Sequence, residues 1–296
     1  MLYTNAAALD FQRHALPVLP QPSKVLLTTP DYFDVQYVIN PHMEGHIGDI
    51  DRARARQQWE ALRDAYATLD LDIAVMDGAA DLPDMVFCAN QTLPSIDPTT
   101  GQKDVILSRM HAPERSPEVA HYAAYFEAAG YTVHALYDDP HTFEGMGDAL
   151  WHAGRRLLWG GYGFRTDGAA YEPISDTLDV PIVLLRLEDP DFYHLDTCLS
   201  VLDEATALIY PGAFDDEGLR MLSALFDTLI EADEHEARDL FAVNAHCPDG
   251  QHVLIQDGCT HTIEALRNAG FTPVPLDTSE FLKAGGSVFC MKLMYW

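Results

Sequence analysis

The stretch Leu266–Leu276, LRNAGFTPVPL, followed by Phe281–Ser287, FLKAGGS, repeats an earlier one: Phe126–Leu136, FEAAGYTVHAL, followed by Phe143–Ala149, FEGMGDA. In each, a glycine (Gly130 or Gly270) separates an apolar-periodic segment from a short run rich in aromatic and β-branched residues. That order predicts a helix closed by glycine and a strand after it. Working outward, five apolar runs end in polar clusters at intervals of roughly 50 residues, and a fixed period of that size marks one supersecondary unit used repeatedly. The clusters are DMVFCAN (84–90), FEGMGDA (143–149), FYHLDTC (192–198), DLFAVNAHC (239–247) and KAGGSVFC (283–290).

The remaining units read in the same way. RARARQQWEALRDAYATL (52–69), EVAHYAAYFEAAG (118–130) and CTHTIEALRNAG (259–270) carry helical periodicity, and LDIAVMD (71–77), YTVHALY (131–137), VPIVLLRLED (180–189) and FTPVPLD (271–277) read as strands. Turn residues in DPTTGQK, HAGRR and CPDGQ predict hairpins leading into DVILSRM, LLWGGYGFR and HVLIQDG. The last unit, SVFCMKLMYW, lacks a hairpin partner, and KVLLTTPDYF near the start supplies one. The expected fold is therefore α/β, a single domain of five ββαβ units in a pseudo-fivefold propeller spanning 24–296, preceded by an arm at 1–23. Such a ring brings residues about 50 apart in sequence into one central pocket.

Composition narrows the function. There are 46 acidic and 18 basic residues, a formal charge of −28. Such a surface repels phosphate backbones and argues against nucleic-acid binding. Lysine scarcity beside abundant aspartate also fits adaptation to high salt. No run of 18 apolar residues and no leader pattern occur, so the expectation is a cytoplasmic protein without a membrane partner. Five cysteines without a CxxC pair suit a reducing compartment, and most are expected to be small buried apolar residues.

Cys290 is the exception, because it follows two glycines that permit close backbone approach and is expected at the end of an apolar strand. A reactive thiol needs a lowered pKa or a nearby base. His194 is the candidate, since Asp196 two residues on shares its face if the segment is a strand. Glu144 falls at the level where it can orient the histidine. Arg109 and Arg165 end hairpin strands, where arginine forks suit a carboxylate. The histidine spacings give no confident metal site.

Together PDYFDVQYVINPHM (30–43), DMVFCAN, FEGMGDAL, GYGFRT (161–166), FYHLDTC, YPGAFD (210–215) and EFLKAGGSVFC (280–290) resemble the guanidino-group modifying superfamily, five-bladed α/β propellers acting through a cysteine. Motif by motif the arginine dihydrolase branch is most similar. The resemblance implies Cys290 as nucleophile and His194 as acid and base. It implies Asp196 and Glu144 around the guanidinium and the histidine, and Asn40, Asn90, Arg109 and Arg165 as substrate contacts. Asn90 replaces an aspartate of deiminases and dimethylarginine hydrolases, and its donor-plus-acceptor amide suits a neutral ureido group. The implied reaction takes arginine to ornithine, with no cofactor and no metal, and a homo-oligomer is compatible. Dimethylarginine hydrolysis, arginine deimination, amidino transfer and a non-catalytic amino-acid-binding propeller stay open. Gln91 and Met146 depart from the pattern and bear on pocket shape.

Overall fold

The structure, a computed structural model, describes residues 1–136 and 140–296, so the last residue of the strand read at 131–137 lies outside the described residues. The three periodic segments form helices Arg52–Ala67, Glu118–Ala128 and Thr260–Asn268. Their apolar spacing buries one face of each: Trp59, Leu62 and Tyr66 on the first, Tyr122 and Phe126 on the second, Ile263 and Leu266 on the third. Gly130 and Gly270 take φ of +84° and +96°, a region a Cβ disfavours. The chain then turns into strands Thr132–His134 and Thr272–Leu276.

Among the described residues the strands make five separate sheets, none of them closed on itself. Four share one pattern, a hairpin whose second strand is flanked by a parallel third. Thr92–Ile96 runs antiparallel to Lys103–Leu107, which runs parallel to Thr132–His134. Ala149–Trp151, Leu158–Tyr162 and Ile182–Arg186 repeat this, as do Leu199–Val201, Thr206–Ile209 and Thr228–Glu231. The sheet that joins the two ends of the sequence follows suit: Leu293–Tyr295 pairs antiparallel with Lys24–Thr28, which pairs parallel with Asp72–Met76. The remaining sheet keeps only its parallel pair, His252–Gln256 with Thr272–Leu276, and its hairpin shrinks to a single bridge, His246 to Leu254.

Residues 1–23 are tied to this frame. Leu2–Tyr3 adds a parallel edge strand to Ile182–Val183, and Tyr3 and Leu19 are buried. None of the helices is long and apolar enough to cross a membrane among the described residues.

Two local expectations are corrected. His194 and Asp196 do not lie on a strand: His194 caps a one-turn 3-10 helix, Leu195–Thr197, that contains Asp196. Cys290 sits in a turn ahead of Leu293–Tyr295, not at the end of a strand. The reason is a side chain: the Asn244 Oδ1 accepts the N–H groups of Ser287 and Cys290 at 3.0 and 3.2 Å, bonds that a strand would give to its neighbour.

Candidate active site

The Cys290 sulfur is buried and held from two sides. It donates to Asp196 Oδ2 at 3.2 Å, and Asn244 Nδ2 donates to it at the same distance. That amide also donates to the Asp196 carbonyl at 3.0 Å. Asn244 thus ties the Cys290 turn to the Asp196 turn. Burial, with the Asp196 carboxylate beside it, pushes the thiol pKa well above its ordinary value. Asp196 itself is raised to about 7, by burial first, against the lowering effect of the Cys290 hydrogen bond and Lys292. Its second oxygen, Oδ1, is buried without a hydrogen-bond partner.

His194 is 2% exposed. Its Nε2 meets Glu144 Oε2 at 2.6 Å, and its Nδ1 lies 3.5 Å from Asn90 Nδ2. The short contact places a proton between Nε2 and the carboxylate, and the longer one leaves Nδ1 facing an amide donor. Burial alone would raise Glu144, but the hydrogen bond and charge of His194, with Arg165 and Arg115, hold it at about 2. The carboxylate also accepts the His111 N–H at 2.9 Å and Arg165 Nη1 at 3.3 Å. The glycines of FEGMGDA make this closeness possible: a Cβ on Gly147 would run into the Asn90 amide and come within 3.3 Å of the His194 ring. The four side chains thus form two pairs, Glu144 with His194 and Asp196 with Cys290, linked through the neighbouring residues 194 and 196, and the sulfur is bonded to Asp196 and Asn244 rather than to the imidazole.

Asn90 is fixed in one orientation. Arg115 Nη1 donates to its Oδ1 at 2.9 Å, which turns the NH₂ toward His194. Arg115 is clamped in turn by Glu118, with Nη2 to Oε2 at 2.9 Å, and by the carbonyls of Asp84 and Phe87. Gln91 completes the clamp by donating to Glu118 Oε2 at 2.6 Å.

A small cavity opens beside the sulfur, with Asp84, Asn90, Arg115, Arg165 and Tyr193 in its wall, and has a volume of about 10 Å³. That is space for about one water molecule. Arg165 lies over the Tyr193 ring at 4.8 Å and donates to the Ile39 carbonyl at 2.6 Å. Asn40 reaches this wall too, but its side chain caps Pro41–Met43 and donates to the Ala284 carbonyl. The glycines before Cys290 serve protein packing: a Cβ on Gly285 would fall 2.7 Å from Asn40 Oδ1, and one on Gly286 2.5 Å from the Phe87 ring.

Arg109 is elsewhere. It is exposed, exchanges backbone hydrogen bonds with Phe143, and borders a separate hollow with Met110, Ala120 and Ala123. Arg115 takes the place by Cys290 that the sequence reading gave to Arg109. Asp84 was also missed as a site residue: it is 1% exposed, accepts from Tyr37 O–H at 2.8 Å through Oδ2, and leaves Oδ1 unpaired. Both had a signal, since Asp84 opens the DMVFCAN cluster and Arg115 stands three residues before a glutamate in a proline-bounded turn.

Residues 39–294 match the family described as N,N dimethylarginine dimethylhydrolase, eukaryotic. Over 93% of its length the chain is 39% identical to N(G),N(G)-dimethylarginine dimethylaminohydrolase of Mycobacterium tuberculosis, 86% of which is covered. Over 91% it is 38% identical to the bifunctional arginine dihydrolase/ornithine cyclodeaminase ArgZ of Synechocystis sp. and spans 37% of that longer protein. The crystal structure of the N-terminal domain of ArgZ bound to substrate superposes with a TM-score of 0.85 at 37% identity, covering 92% of this chain and 97% of that one. A dimethylarginine dimethylaminohydrolase adduct with S-methyl-L-thiocitrulline shares the fold, with a TM-score of 0.77 at 24% identity, over 92% of this chain and 99% of that one.

Proposed function

The chain belongs to the dimethylarginine dimethylaminohydrolase family within the guanidino-group modifying enzymes, hydrolases of guanidino C–N bonds, and on that premise we propose that it is an arginine dihydrolase. The observation that carries this reading is the fixed amide of Asn90. With Oδ1 held by Arg115, the residue offers a neutral N–H donor beside His194, and a donor is what the carbonyl oxygen of a ureido group needs.

In this reading the five sheets are the blades of a propeller around the site, and residues 1–23 are an arm on its outside. Arginine enters with its guanidinium against Asp196 Oδ1, the unpaired buried oxygen, and Glu144. Its α-ammonium takes Asp84 Oδ1 and its carboxylate takes Arg165, with Asn40 at the wall. The resting thiol is neutral because it is buried and lies against Asp196, so the arriving cation supplies the charge that makes thiolate formation favourable, and the thiol proton passes to His194.

The sulfur then attacks the guanidinium carbon, and His194 delivers a proton to the departing nitrogen, releasing ammonia. Water, deprotonated by His194, cleaves the S–C bond and leaves citrulline. In the second cycle the sulfur attacks the ureido carbon and a second ammonia departs. Water releases the carbamate, which gives ornithine and carbon dioxide. The balance is arginine plus two waters to ornithine, two ammonia and one carbon dioxide. Glu144 holds the imidazole throughout.

Dimethylarginine hydrolysis is the second reading, favoured by the family match across residues 39–294. A single assay separates the two. Purified protein given arginine should release two ammonia per ornithine, and given asymmetric dimethylarginine should release no dimethylamine. Citrulline accumulating without ornithine would remove the second cycle, and dimethylamine release would establish the alternative.

A further inference from the structure

Lys292, two residues beyond Cys290, is 1% exposed. Its ammonium lies 3.1 Å from the centre of the Phe289 ring, and among the described residues it has no hydrogen-bond acceptor and no ion pair. A buried ammonium in that condition is rare, because the donors lost from water are not replaced. Burial lowers its pKa to about 7, while Asp196, Cys88 and Cys290 act to keep its charge. Lys292 also borders a second cavity, of about 100 Å³, that shares none of its wall with the Cys290 cavity.

Trp151, Phe289, Met294 and Trp296 make that wall largely apolar. Its other polar groups are already engaged or neutral. The Trp151 and Trp296 N–H groups donate to the Pro94 and Pro20 carbonyls, and Gln21 donates to the Pro248 carbonyl. The His152 ring is used at both nitrogens, by Glu204 and Trp159. Burial keeps His246 neutral and pushes the Cys247 thiol up to about 12. The cavity wall therefore carries one ammonium without a hydrogen-bond acceptor, seated on the Phe289 ring in an apolar setting, which selects a ligand with a single anionic head and a short hydrocarbon body.

We propose that this cavity is a second binding site, for a short-chain carboxylate whose head group pairs with Lys292 and whose tail packs against the edge-to-face pair Trp151 and Trp296. The residues Leu19 to Pro22 close over it, so the N-terminal segment forms part of its rim. The cavity is separate from the one beside Cys290, although the Lys292 charge also acts on Asp196 and Cys290.

Butyrate is the probe. Calorimetric titration of the whole chain should show saturable one-to-one binding, weakened at least tenfold in Lys292→Met, with n-butanol giving no saturable heat. A crystal grown with 4-bromobutyrate should place the bromine in this cavity, against Trp151 and Trp296. Failure of butyrate to bind, equal binding of n-butanol or by the Lys292→Met protein, or a bromine seated in the Cys290 cavity would overturn the proposal. Should Lys292→Met fail to fold, the bromine position and the n-butanol comparison decide it on the unaltered protein.

Discussion

Asp196 makes the stability of this centre depend on pH. Its folded pKa of about 7 exceeds the ordinary 3.8, so its contribution to stability is fully present below pH 3.8 and is lost as pH rises through 7. Asp196→Asn removes the buried charge, and its melting temperature should exceed that of the unaltered protein by several degrees at pH 8, a gain on the order of 4 kcal/mol. At pH 5, where the carboxyl is protonated in the folded chain but ionised in the unfolded one, the difference should shrink to less than half, and it should vanish only below about pH 3.8. Activity should fall at least a hundredfold at either pH. Glu144 behaves in the opposite sense: held at about 2 against 4.5, its stabilisation is present above pH 4.5 and disappears as pH falls toward 2. A second expectation concerns Asn90. Glu118→Gln loosens the Arg115 fork that sets the amide, so citrulline should accumulate at the expense of ornithine, as amino-acid analysis would record. These roles differ in how far the sequence exposes them. The pairing of His194 with Glu144 and of Cys290 with Asp196 draws on residues that the sequence marks, because each stands in a polar cluster at the end of an apolar run, at the shared period. Arg115 is not, because it works from a turn outside the repeated pattern, where hairpin logic points to Arg109 instead. Asn244 lies inside a quoted cluster, but its bridging of two turns depends on contacts that no spacing encodes.

At the scale of elements, the cavity by the sulfur is too small for an amino acid as it stands. One wall comes from the segment between the strand Lys24–Thr28 and the helix Arg52–Ala67, which carries only the short turn Pro41–Met43 and exposes Val38 and Ile47. Few backbone bonds hold such a segment, so it is the element that yields. Arginine added to a Cys290→Ser protein should slow amide exchange across residues 36–49 while leaving the helix Thr260–Asn268 unchanged. Gly285 is the facing constraint, with a φ of +82° and no room for a Cβ beside Asn40 and Tyr193. Gly285→Ala should lower the melting temperature by several degrees and activity by at least tenfold. The helices and their closing glycines follow from periodicity, but the one-turn helix that holds Asp196 does not, since alternate spacing on a strand and a 3-10 turn look alike over three residues.

For the whole molecule, a charge of −28 works in two directions. Self-repulsion weakens the folded state and also draws a cationic substrate inward. Raising potassium chloride from 0.1 to 1 M shortens the screening length from about 10 to 3 Å. The melting temperature should therefore rise while kcat/KM for arginine falls; parallel movement of the two would contradict this account. The repeat made the five-unit plan legible, including the pairing of the chain's two ends, because a repeated hairpin missing from the last unit leaves one vacancy and one unused strand. The sheet that replaces its hairpin with a bridge was not legible, since CPDGQ is a good turn in either case. That pairing of ends orders events on the ribosome. Lys24–Thr28 emerges early and has Asp72–Met76 beside it soon after, yet its other edge waits until Leu293–Tyr295 has been translated. Cys290 arrives in the same late stretch, so a nascent chain stalled anywhere upstream carries an open sheet edge and lacks that thiol. Holding that edge safe from neighbouring chains during synthesis is a demand that falls on the cell rather than on the finished enzyme.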